Sequence, residues 1–203
     1  IMLAALTVSQ TVDRYLPISR VGHHLPVSVI SATLMVLLYF QAALYTPPFY
    51  KQRQYEDSIG GRLAHVIEQN APHRTFLVLS PGIYPLWPMI NYVEGRMTMR
   101  FLSLWVLQGV YATCDDFPAL YNPPDTMGEP EKFVFDAVSE DFAREHPDLL
   151  IVDRIAGIPR CQGKEFDYLE YFLQNRVFAD AFEDYEHLMD FDRYIIYRRK
   201  KKK

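Results

Sequence analysis

The sequence predicts an α/β protein in which a membrane helix, or two, is followed by a small mixed β-sheet domain with helices packed on it. Three observations carry this reading. Residues 25–45 form an uncharged apolar stretch of helical length. Two short apolar runs, residues 75–80 and 149–153, each follow a segment whose apolar residues recur at three and four. The last 20 or so residues hold two strand-like segments on either side of a turn.

The chain opens on Ile1-Met2-Leu3-Ala4-Ala5-Leu6-Thr7-Val8 with no basic region ahead of it, which a signal peptide requires. The expectation is that it starts inside an earlier membrane helix of a longer protein. Residues 25–45 (LPVSVISATLMVLLYFQAALY) carry no ionisable group, and Gln41 is their one large polar side chain. At about 1.5 Å per residue the stretch matches a hydrocarbon thickness of roughly 30 Å. It lacks the polar face of a helix packed on a soluble core. Pro26 suits a first turn, Pro47-Pro48 stop the helix, and Tyr39, Tyr45, Phe49 and Tyr50 place aromatic groups at its exit. Arg and Lys are evenly divided between the two flanks, so charge does not set the orientation. The division is therefore a membrane-associated segment over 1–50 and a soluble α/β domain over 51–203.

Within that domain, residues 55–70 place Ile59, Leu63, Val66 and Ile67 on one helical face, and Ala71-Pro72 end it. Residues 75–80 (TFLVLS), bounded by Pro81-Gly82, read as a buried central strand. Residues 101–110 (FLSLWVLQGV) are open between strand and helix. Gly128 and Pro130 precede a helix over 131–145 with an acidic first turn, and 149–153 (LLIVD) is a second buried strand. Residues 166–175 read as helical, 178–182 extend the packing, and 185–189 with 194–198 form a closing hairpin.

A net charge of −4 excludes nucleic acid as the main partner, since phosphate neutralisation needs a basic face. Only the tail from Arg198 to Lys203 is strongly basic; it is either a solvated end or a contact for anionic headgroups. Cys114 and Cys161 have no zinc-like spacing, and both a disulfide and two separate thiols stay open. Asp180, Glu183, Asp184, Glu186, Asp190 and Asp192 lack a calcium-loop spacing, Cys114-Asp115-Asp116 lacks a third ligand, and His23-His24 fits an interface. No GxGxxG, GxxxxGK[ST], GxSxG or HExxH motif occurs. The sequence therefore names no catalytic residue, metal site or cofactor.

The candidate binding residues follow the two central strands, because ligands of open α/β sheets lie beyond strand carboxyl ends. After the first come Tyr84, Trp87 and Tyr92 for stacking and Arg96 and Arg100 for a phosphate; after the second come Asp153 and Arg154. The competing readings are a loop packed on its own helix or dipping to the bilayer, and an ion pair between Asp153 and Arg154 or Arg160.

In the order of these pieces the chain resembles the carboxyl-terminal part of bacterial GT-C membrane glycosyltransferases, akin to the dolichyl-phosphate-mannose protein mannosyltransferases. The segments that carry it are the helix at 25–45, FLVLSPGIYPLWPMINYVEGR, MRFLSLWVLQGVY, HPDLLIVD and DRYIIYRR. The resemblance implies transfer of a sugar from a polyprenyl-phosphate carrier, with the soluble domain on the non-cytoplasmic side of a bacterial inner membrane and the catalytic acid in a loop that this chain does not contain. The implied partners are membrane lipid and a lipid-linked sugar. The alternative is a membrane-anchored accessory subunit whose aromatic loop binds a partner protein.

Overall fold

The structure, a computed structural model, describes residues 24–44, 54–112, 120–160 and 164–201. The opening apolar stretch, Pro47-Pro48, Cys114-Asp115-Asp116, Cys161 and the last two lysines lie outside the described residues. The chain divides into two compact units, Ile1–Gln54 and Tyr55–Lys203.

In the first unit α1 runs His24–Leu44. Its side chains are described over residues 30–42, about 20 Å of axis, and all of them are exposed, Ile30, Leu34, Leu37, Leu38 and Phe40 among them. Among the described residues no helix is long and apolar enough to cross a membrane.

In the second unit α2 (Ile59–Asn70) begins at the first residue of its apolar spacing, four residues inside the expected segment 55–70. Ser58 sets the start, its Oγ accepting the Gly61 N–H at 3.1 Å and so satisfying one orphan donor of the first turn. Strand β1 (Thr75–Leu79), a short turn α3 (Leu86–Met89), β2 (Arg96–Met97) and α4 (Trp105–Val110) follow. The stretch left open between strand and helix thus becomes loop and helix. Then come α5 (Glu129–Glu145), β3 (Leu149–Asp153), α6 (Tyr168–Phe172), α7 (Arg176–Phe182) and the hairpin of β4 (Tyr185–Phe191) and β5 (Tyr194–Arg199).

The strands form one mixed sheet in the order β2-β1-β3-β5-β4. β1 lies parallel to β2 and β3, and β5 runs antiparallel to both β3 and β4. β1 after Thr75 and β3 before Asp153 are apolar because both faces of the sheet are covered. Phe76, Val78, Leu149 and Ile151 pack with Leu63 and Ile67 of α2 on one side. Leu77, Leu79, Leu150 and Val152 pack with Val134, Val138 and Phe142 of α5 on the other. The second face is strongly aromatic: Phe142 stacks on Phe178 at 4.4 Å, and Tyr185 lies 4.8 Å from it. Burying each of these rings fully stabilises the fold by about 1.5–3 kcal/mol.

From β1 the chain moves outward to β2, then crosses over to β3 on the other side of β1. The carboxyl ends of β1 and β3 are thus the point where the strand order reverses, where a crevice opens in sheets of this kind.

Candidate functional site at the carboxyl ends of the parallel strands

Ser80 follows β1 and Asp153 ends β3, and both are buried. The Ser80 hydroxyl lies 3.0 Å from Asp153 Oδ2, and Ile155 N donates to Asp153 Oδ1 at 2.9 Å. Arg193, in the turn between β4 and β5, grips the same carboxylate with two nitrogens, Nε to Oδ1 at 2.7 Å and Nη2 to Oδ2. Both Asp153 oxygens are therefore occupied within the fold. The fork raises the Arg193 pKa, and its physical effect is to pin the hairpin turn to the sheet. Asp153 is paired, but with Arg193 and not with Arg154 or Arg160 as expected; Arg160 binds Glu165. Arg154 turns outward to Asp190 at 2.5 Å in an exposed pair, a kind that contributes little and opens readily.

Around this clamp three loops carry exposed apolar side chains: Ile83, Tyr84 and Trp87 after β1, Leu102 and Trp105 after β2, and Ile155 after β3. Tyr84 is 61% and Trp105 67% exposed. The loops are tied together. Leu104 N donates to Ser80 O at 2.8 Å, and Gln108 Nε2 to Gly157 O at 3.0 Å. Gly157 is required there, since its φ is +66° and a Cβ would lie 2.2 Å from Gln108 Nε2. The result is a fixed rim, not a set of independent tips. Both tryptophans of the chain stand on it. Beside Ile155 a depression of about 190 Å³ is lined by Arg154, Arg160 and Phe166.

Of the remaining candidates, Tyr92 stacks on Tyr55 at 4.1 Å, where the second unit begins. Burial, followed by the nearby Tyr92, pushes the Tyr55 phenol up to about 12. Arg96 pairs in register with Thr75, at the far end of the sheet, and binds Glu145 at 2.8 Å. Arg100 donates three hydrogen bonds to Asp141, from its backbone N, Nε and Nη2 at 2.8–2.9 Å. The structure thus brings Tyr84, Trp87, Asp153 and Arg154 to one end and commits Arg96 and Arg100 to carboxylates of α5.

A buried polar cluster escaped the sequence reading. Glu131, fully buried in the first turn of α5, accepts from Tyr111 Oη at 2.5 Å, Tyr171 Oη at 3.2 Å and Asn122 Nδ2 at 2.8 Å. Burial, and then the Glu131 carboxylate, drive the pKa of both phenols upward. The acidic first turn signalled a helix start, but nothing local to it showed that three distant groups converge there. Among the described residues no cluster of His, Cys, Asp and Glu could hold a metal ion.

Comparison with protein-family models, curated proteins and solved structures gives no match to this chain.

Proposed function

We propose that this chain is the soluble carboxyl-terminal domain, with the last membrane helix, of an integral-membrane glycosyltransferase that uses a polyprenyl-phosphate-linked sugar. In this reading the reacting groups lie outside the chain, and the rim covers the carrier on the non-cytoplasmic side of a bacterial inner membrane. The observation that carries it is the rim itself: three loops, held together by hydrogen bonds, present Tyr, Trp, Ile and Leu side chains to solvent. Aromatic groups with an apolar body and a polar tip suit the bilayer interface, and their faces suit a sugar. Arg154, in an easily opened pair, supplies the nearby cation for a carrier phosphate in place of Arg96 and Arg100.

Two further features support a membrane setting. The stretch at residues 25–45 is 21 residues long and has no ionisable group; this support comes from the sequence, since among the described residues no helix is long and apolar enough to cross a membrane. A helix apolar on every face needs an apolar surrounding on every face.

A second reading, an accessory subunit that binds a partner protein through the rim, is favoured by one observation. Asp153 and Arg193 satisfy each other, so the crevice offers contact area and no spare acid or base. The two readings separate in a titration of polyprenyl phosphate against the full chain in nanodiscs. Replacing Arg154 with Ala should weaken carrier binding by about 1.5–3 kcal/mol, with thermal unfolding unchanged. Unaltered affinity in an intact fold would remove the carrier from the rim and favour the subunit.

A further inference from the structure

Next to the Asp153 clamp a single carboxylate stands between a guanidinium and an imidazole. Asp190 of β4 meets Arg154 Nη2 through Oδ2 at 2.5 Å, and its Oδ1 lies 2.9 Å from His187 Nε2. In a regular strand residues three apart point to opposite faces of the sheet. β4 is irregular between His187 and Met189, so that Leu188 is an extra residue: His187 pairs with Tyr197 and Asp190 with Ile195, two residues apart on β5. The bulge therefore turns His187 and Asp190 to one face. Arg154 is brought to the same place by its own backbone, whose N–H donates to Arg193 O at 2.9 Å in the hairpin turn.

While the imidazole is neutral, Arg154 and Asp190 cancel, and the guanidinium must abandon its carboxylate to take a phosphate. Once the imidazole is protonated, Asp190 keeps a cationic partner after Arg154 has left. Departure then costs less, and the trio carries one positive charge in excess. The imidazole first, and Arg154 after it, hold the Asp190 carboxyl below its ordinary range. The other groups facing His187 come from three elements. Tyr197 of β5 meets the imidazole edge-on at 5.9 Å, and Phe182 of α7 covers that phenol at 5.1 Å. Asp167, at the start of α6, acts on the same phenol: burial raises its pKa most, then Asp167 and Asp190, with Arg154 opposing. On β4 itself Glu186 is held by Arg198 at 2.7 Å. Carboxylates ordinarily titrate near pH 4 and phenols near pH 10, so histidine is the residue type in this set that gains charge between about pH 8 and pH 5.5.

We propose that His187 is a pH sensor for the rim: its protonation takes over Asp190 and releases Arg154, so that the phosphate of a lipid-linked sugar is held more tightly in mildly acidic surroundings. This rests on the assignment of Arg154 to the carrier phosphate.

The affinity of the full chain in nanodiscs for a polyprenyl-phosphate-linked sugar, measured at about pH 8 and pH 5.5, tests it. That ligand is a phosphodiester, so its single negative charge is the same at both values. Wild type is expected to bind about two- to fivefold more tightly at the lower pH, the range of an exposed ion pair. His187→Gln should stay at the weaker level at both values and Asp190→Asn at the tighter level at both. The side chains of His187 and Asp190 are each 55% exposed, so neither substitution removes core packing. A pH response kept by His187→Gln would overturn the proposal by placing the titrating group elsewhere; one kept by Asp190→Asn would overturn it by showing that the imidazolium attracts the phosphate directly. Should Arg154→Ala weaken binding while wild type is indifferent to pH, the sensor is refuted and the carrier site stands. Should Arg154→Ala change nothing at either pH, the carrier assignment falls and the sensor falls with it.

Discussion

Arg100 reaches Asp141 through its backbone and its guanidinium at once, and Arg144 Nη2 meets the same carboxylate at 2.7 Å. Burial works against ionisation of Asp141, but the hydrogen bonds and charge of Arg100 outweigh it and hold the carboxyl below its ordinary range. A folded value below the unfolded one, near 3.9, means that the contribution is present above about pH 4. It is lost as pH falls through the folded value. Thermal unfolding followed from about pH 7 down to about pH 2 should therefore show wild-type stability declining on the acid side. Asp141→Asn should be less stable at neutral pH and flatter in acid; equal acid sensitivity in the two proteins would contradict the assignment. In the sequence Arg96 and Arg100 looked like phosphate ligands because they follow an aromatic loop. Their partners, Glu145 and Asp141, lie some 40–50 residues further on in a helix whose position no local pattern discloses. Asp153 was legible as a strand-end carboxylate, and Arg193 was not legible as its partner, for the same reason.

Elements buried on both faces were the most readable. Residues 76–79 of β1 and 149–152 of β3 are apolar without interruption, so their strand character and their neighbouring places in the sheet follow from composition and from the helices before them. β2 has two residues, one of them Arg96, and exists only through backbone pairing with β1; no side-chain periodicity can announce an element that short. The six-residue α4 lies within the lengths at which helix and strand patterns coincide. For α1 the sequence carries the expectation of a spanning helix, which the described residues do not support. Leu37 is exposed midway along it, and replacement by Arg should oppose membrane insertion by about 2.5–3.5 kcal/mol on translocon scales. Glycosylation mapping of the full chain checks this, and insertion equal to wild type would contradict a spanning α1.

The second unit has two chemically unlike ends. At the carboxyl ends of the parallel strands stand the aromatic and aliphatic side chains of the rim; at their amino ends stand the cations from Arg198 to Lys201. A five-residue strand extends about 17 Å, roughly twice the screening length of physiological salt. A flat bilayer can therefore engage one end or the other. The sequence offered both as membrane contacts because it does not show that β5 runs antiparallel to β3, which carries the tail away from the rim. Trp87 and Trp105 are the only tryptophans, so intrinsic fluorescence reports on the rim alone. In nanodiscs containing brominated lipids, a rim seated in the bilayer interface predicts blue-shifted tryptophan emission that the bromine quenches. Emission at the position of water-exposed tryptophan, unaffected by brominated lipid, would contradict it.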